Sequence, residues 1–243
     1  MIDSVCVVGA GRAGSALGAR LEERGVSVSV TGRSLQTGSA GHVLLCVPDR
    51  AIAEVAPRIE PGPWVGHASG VTPLAALAPH VRRFALHPLQ ALTPGCGPHR
   101  LDGAWAAIGG ESPEALEQAR ALAAALGMPC FEVADRDRAA YHAAGAFAAN
   151  FAVTLYHAGA RLLASAGAPA EALGPLLAGV AASGYQLTGP IARGDRGTVE
   201  AHLATLRERT PELEPAYRAL AELTVTLVPG ARAEALPEGA LRS

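Results

Sequence analysis

The sequence contains no lysine, so all 20 residues of the Lys and Arg set are arginine. A Schiff-base lysine, a phosphate-loop lysine and a lysine proton donor are therefore excluded. The accompanying richness in Ala, Gly, Arg and Pro reads as the mark of GC-rich coding. Cysteine is sparse: Cys6, Cys46, Cys96 and Cys130 lie far apart, with no CxxC and no Cys/His spacing of the zinc type. Buried thiols are expected, not disulfides, and no metal. No window reaches the roughly 18 uninterrupted apolar residues of a membrane span, and no charged segment followed by an apolar stretch opens the chain. A soluble, cytoplasmic protein is the expectation. Neither sign of charge is in excess, the net charge being -2 and the pI about 6.4. That argues against nucleic acid or an anionic membrane as the main partner and leaves small anions to local arginines.

With 243 residues the chain can hold one large α/β domain, or a medium domain and a smaller one. Its most informative stretch is Val5 to Leu17, where an apolar run passes through Gly9, Gly11 and Gly14, spaced GxGxxG, into an amphipathic segment that stops at Gly25. Such spacing predicts a dinucleotide site. The first glycine permits a tight turn, the second lets the backbone approach a pyrophosphate, and the third lets helix and strand pack closely. The anion then meets unpaired N–H groups at the helix N-terminus, beside Arg12.

Val26 to Val30 alternates with period two and predicts a second strand ending at Thr31-Gly32-Arg33-Ser34. An acidic residue there would bind the ribose 2′-hydroxyl of NAD. Arg33 and Ser34 can hold a 2′-phosphate instead, so NADP is favoured over NAD; a solvated turn arginine is the plain alternative. Only about ten residues lead to the next apolar run, His42 to Val47, so the third βα unit is abbreviated. Further strands are expected at Trp64 to His67, Arg83 to Leu86, Ala104 to Ile108 and Cys130 to Val133. Helices are expected at Arg50 to Pro57, from Pro73, and at Pro113 to Leu126. This geometry puts Val47, Pro48, His67, Ser69, Gly70, His87 and Pro88 along the ligand-binding edge.

From Asp135 onward β-branched runs give way to Ala/Leu-rich helical patterns at about 137–165, 169–187, 197–208 and 211–227, followed by a loose tail. The predicted fold class is α/β: a Rossmann-like, mostly parallel sheet domain over 1–134, then an all-helical domain over 135–243.

Four clusters carry candidate chemistry. In His67-Ala68-Ser69-Gly70, the imidazole and hydroxyl can meet a nicotinamide amide or a substrate carboxylate, or the serine can simply cap a turn. His87-Pro88-Leu89-Gln90 adds a second imidazole near a strand end. Arg138, His142 and Asn150 descend one side of a helix among small residues that leave room for a ligand or for close helix packing. In Thr188 to Asp195, Arg193 can bind a carboxylate bidentately and Asp195 can cap the next helix; His202 reads as packed.

The glycine turn, with CVPD, HASG, HPLQ, YHAAGAFAANF and TGPIARGD, resembles a bacterial family of Rossmann-like proteins whose C-terminal helical domain has no assigned function. That family sits among 6-phosphogluconate dehydrogenase, ketopantoate reductase and pyrroline-5-carboxylate reductase. The resemblance implies NAD(P) binding and a homodimer formed through the helical domain, and for some members a ketopantoate reductase activity. The wider group places a lysine four residues before an asparagine on the interdomain helix. Here Arg138 and His142 have that spacing, with Asn150 further on, so the proton donor must change. Arginine is a poor acid at neutral pH, which leaves His142 as the donor and His87 as its rival.

The sequence thus predicts an NADPH-dependent reductase of a small carbonyl acid. His142 protonates, Asn150 and Ser69 position the substrate, and Arg193 holds its carboxylate, with His67 nearby. The alternatives are reduction of a cyclic imine acid, or a non-catalytic NADP-binding sensor or structural dimer.

Overall fold

In the computed structural model, which describes residues 2–32 and 34–228, the chain divides into two compact units, Met1–Asn150 and Phe151–Ser243. The first is built on a seven-stranded sheet. Its strands are β1 (Ser4–Val8), β2 (Ser27–Thr31), β3 (His42–Leu45), β4 (Trp64–His67), β5 (Arg83–Pro88), β6 (Ala106–Gly110) and β7 (Cys130–Glu132), in the order β2-β1-β3-β4-β5-β6-β7. All neighbours are parallel except β5 and β6. Between β2 and β3 the described residues form no helix, so the third unit is abbreviated as expected.

Alternation along the central strands feeds two cores. Val5, Val7, Leu44, Phe84, Leu86 and Ile108 pack under α1 (Arg12–Glu23) and α3 (Pro113–Leu126). Cys6, Val8, Val43, Leu45, Val65 and Ala85 pack on the other face, with Ile52 of α2 (Asp49–Val55) and Leu74 and Leu77 of a 3₁₀ turn. Central strands are apolar on both faces because helices cover both. The four cysteines are free thiols; Cys6 is buried as expected, whereas Cys46, Cys96 and Cys130 are only partly so, and desolvation pushes the Cys46 thiol up to about 12.

β5 runs two residues beyond the expected Leu86, because the antiparallel β6 continues the ladder by pairing His87 with Ala107 and Pro88 with Ala106. His87 is therefore a strand residue with a fixed face, not part of the loop beyond. The helix expected over 137–165 is also interrupted. α4 (Arg138–Gly145) passes through a π-helical turn at Ala146–Asn150 into α5 (Phe151–Ser165), and the unit boundary falls there instead of after residue 134. Asp135 to His142 are held on the sheet of the first unit by side chains whose partners lie far back in the sequence.

The second unit contains α5, α6 (Leu173–Ala182), α7 (Arg196–Arg209) and α8 (Glu214–Leu227). Its small core joins Val199, Leu203 and Ala221 to Ile191, Tyr217 and Val225. Asp195 caps α7 as expected, accepting the Thr198 N–H at 3.1 Å. No helix among the described residues is long and apolar enough to cross a membrane. Arg33 and the tail from residue 229 lie outside the described residues.

Candidate active site

The chain turns left from β1 to β2 and right to β3, so the β1/β3 gap is the topological switch point where open α/β sheets bind ligands. The glycine turn occupies that gap. Gly9 adopts φ 108, and a Cβ on it would lie 2.7 Å from the Cys46 carbonyl oxygen at the end of β3. A Cβ on Gly14 would lie 1.8 Å from the Gly9 oxygen. Both glycines are demanded by the turn itself. Gly11 differs: it has ordinary backbone geometry, φ -76, and open space where a Cβ would point. It caps α1 with no side chain and no acid in the first turn, leaving the helix N-terminus facing outward for an anion. Val47 packs 3.3 Å from the Gly9 Cβ position, and Pro48 opens α2 beside it. Ser34 lies at the end of β2, its hydroxyl 3.4 Å from that of Thr31. These residues fit a dinucleotide with its pyrophosphate against Gly11 and Arg12.

Gly11→Asp therefore separates binding from folding. The side chain has room, so the melting temperature is expected to hold, while its charge weakens dinucleotide binding at least about tenfold, measured by fluorescence titration with NADPH and NADH. A Gly14→Ala chain is expected not to form the turn.

The second part of the site lies on the α2 face of the sheet. Register aligns Leu45, His67, Ala85 and Gly109 in one row, and His87, Ala107 and Phe131 in the next. The small residues leave two shallow seats, and α4 fills both. Arg138 lies over Gly109, where a Cβ would meet its Nη2 at 2.4 Å. One turn on, Tyr141 lies between His87 and Phe131, its ring edge-on to both at 5.6 Å and 5.8 Å. His142 follows, its ring 6.4 Å from that of His87. A Cβ on Gly70 would sit 2.9 Å from His142 Cδ2 and 3.1 Å from His87 Cε1. Four segments distant in sequence thus converge: 67–70, 87, 109 and 135–142.

Arg138 is 1% exposed. Its Nε donates to Asp135 Oδ1 at 2.7 Å, and Asp135 Oδ2 accepts the Leu74 N–H at 2.8 Å, tying α4 to the loop after β4. Ser69, expected to touch substrate, spends its hydroxyl on that loop: it donates to Thr72 Oγ1 at 2.8 Å and accepts the Thr72 N–H at 3.0 Å. His67 is fully buried and its Nε2 meets no protein partner, so the ring lies behind the surface and not on it. Arg193, expected to hold a carboxylate, belongs to the second unit, where it donates to the Thr188 carbonyl of its own loop. Asn150 closes the π-helical turn.

Burial, then the Arg138 charge, lowers His67 to about 4. Burial, then the neighbouring His142, lowers His87 to about 4. Both shifts favour the neutral ring at pH 7, which weighs against His87 and for His142 as the imidazolium donor. The depressed values also bear on stability. An unfolded histidine binds its proton near pH 6.5, whereas these do so only near 4. Stability is therefore fully present above 6.5 and falls as the pH drops toward 4. Thermal unfolding at pH 7 and 5 is expected to show that loss above the range where most carboxylates titrate, and His87→Asn to reduce it.

The residues missed in the sequence are Asp135, Tyr141 and the seats at Ala107 and Gly109. Small residues two apart on one strand and large ones three apart on one helix were the available signal. A cavity of about 400 Å³, lined by Ser4, Ser27, Ser29 and Thr37 among others, opens near the N-terminal ends of β1 and β2, away from this chemistry. Among the described residues no three His, Cys, Asp or Glu side chains could hold a metal ion together.

The sheet order and the glycine turn at the switch point define a Rossmann-like α/β fold joined to a helical region. Residues 104–224 match the family model described as a domain of unknown function, DUF2520. A search of the curated proteins finds no match. Among solved structures, a candidate NADP oxidoreductase from Bacteroides fragilis is similar, with 21% identity, 90% of this chain and 96% of that one covered, and a TM-score of 0.75. The Thermotoga maritima protein TM1727 is similar with 22% identity, the same coverages and a TM-score of 0.73. An NADH-preferring ketol-acid reductoisomerase from an uncultured archaeon shares 19% identity over 70% of this chain and 63% of its own, with a TM-score of 0.56. These likenesses establish the fold.

Proposed function

We propose that this protein is an NADPH-dependent reductase of a small carbonyl acid, ketopantoate being the first compound to test. The observation that carries the reading is the placement, in one compact unit, of a glycine turn open at Gly11 and a histidine pair around Gly70. The name of the Bacteroides fragilis neighbour, an NADP oxidoreductase, accords with it. When bound, the dinucleotide supplies a hydride to the carbonyl carbon. His142, exposed at the edge of the site, gives a proton to the oxygen as the carbonyl electron pair moves there and is left neutral. His87 and Tyr141 hold that oxygen's surroundings polar, and the Phe131 ring packs edge-on to Tyr141 behind them.

Offering 2-keto acids and cyclic imine acids to the protein with NADPH tests this: loss of nicotinamide absorbance supports it. Tight binding without consumption across the panel would favour a sensor. Arg33 and Ser34 are proposed to hold the 2′-phosphate. Arg33→Asp is expected to move preference toward NADH, and an unchanged NADPH/NADH affinity ratio would refute that role.

We also propose a homodimer through the helical unit. α6 is apolar along its length, with Leu176 63% and Leu177 45% exposed, and Val153 on α5 59% exposed. Apolar surface of this kind marks an interface. Light scattering is expected to give twice the chain mass, and Leu176→Glu to give the monomer.

A further inference from the structure

We infer that Tyr141 is a positioning residue that fixes His87 as the neutral tautomer protonated on Nε2, so that the ring meets substrate as a hydrogen-bond donor. The tautomer half stands on geometry alone; the substrate half rests on the reductase reading. Tyr141 Oη lies 2.6 Å from His87 Nδ1, and packing on two sides holds the phenol there. Its ring is wedged between His87 and Phe131 above Ala107, and the helix that carries it is anchored one turn earlier by Arg138.

One proton lies between Oη and Nδ1, and chemistry decides its owner. In a neutral pair the imidazole nitrogen lone pair is the stronger acceptor and the phenol O–H the stronger donor. Both partners are neutral at pH 7, because burial holds the phenol near 12 and the imidazole near 4. The charged or titratable groups acting on His87 are His142 and Arg138, which disfavour its cation, and Asp49, which favours it. None of them competes for Nδ1 in the hydrogen bonds of the structure. Tyr141 therefore donates, Nδ1 accepts, and the ring's own proton resides on Nε2. A neutral N–H of this kind polarises a carbonyl without giving up its proton, which divides the labour: His87 orients the oxygen and His142 protonates it.

The test uses the full-length protein labelled with ¹⁵N, as wild type and as Tyr141→Phe, with His87→Asn to assign the signals. Long-range proton–nitrogen spectra at pH 7 are expected to show a bare Nδ1 and a protonated Nε2 for His87 in the wild type. In Tyr141→Phe both tautomers are expected, with titration moved upward because the bond favouring the neutral ring is gone. Turnover is expected to fall about tenfold while NADPH affinity holds. A wild-type His87 protonated on Nδ1, or an unchanged tautomer in Tyr141→Phe, would overturn the inference. The expected spectra in a protein that consumes no NADPH would confirm the tautomer and overturn the substrate role together with the reductase reading.

Discussion

Asp135→Asn is expected to destabilise the protein by about 3 kcal/mol, the lower end of the range for stranding one member of a buried ion pair. The Arg138 side chain is 2% exposed while that of Asp135 is 34% exposed, so removing the carboxylate leaves a guanidinium charge sealed against Gly109 without its counterion. The asparagine can still accept the Leu74 N–H, which isolates the lost charge from the lost loop contact. The melting temperature should fall by on the order of 10 °C. Adding Arg138→Met removes the stranded charge and is expected to restore more than half of the loss, measured by thermal and urea unfolding of the single and double variants. A cost for Asp135→Asn within about 0.5 kcal/mol, the usual range of surface changes, would mean that this pair does not fasten α4 to the sheet.

His142→Ala is expected to lower turnover by about 10²- to 10⁴-fold, the usual worth of a positioned proton donor. NADPH affinity should hold, because the glycine turn is built by β1, α1 and the end of β3. His87→Ala is expected to cost less, since a neutral ring contributes one hydrogen bond and no proton. Gly70→Ala should resemble the first, because its Cβ would press on both imidazoles at 2.9–3.2 Å. Full turnover in His142→Ala would remove it as the donor.

The sheet half was legible because its signals are local. A run such as Val5 to Val8 must be a buried strand, and the spacing of Gly9, Gly11 and Gly14 marks the turn whatever follows. Trp64–His67 and Pro113–Leu126 are found at the expected bounds, the latter because Ser112 caps it and Gly127 ends it in the left-handed region, φ 74. The local sequence sets His87 and Pro88 beyond a strand because nothing local reveals that β6 runs antiparallel and extends the ladder. The site's second half was less legible still. Helical spacing sets Arg138 beside His142 and Asn150 as one ligand-facing stripe, whereas it is buried over Gly109, and Tyr141, to which the sequence assigns no role, lies against His87. Those placements depend on which strand neighbours which, a tertiary fact that periodicity does not carry. His67 and Ser69 show the same limit: a polar strand end reads equally well as a binding edge or a capped turn, and burial decided for the turn.

Hydride transfer itself is the claim on which the rest depends, and isotope transfer tests it most directly. NADPH carrying deuterium at both positions of the reactive nicotinamide carbon is incubated with the protein and the keto acid it consumes, and the product is examined by mass spectrometry and proton NMR. One deuterium is expected on the former carbonyl carbon, at a rate that collapses in His142→Ala. NADPH bound tightly but left intact with every acid offered, or a product without deuterium at that carbon, would contradict it.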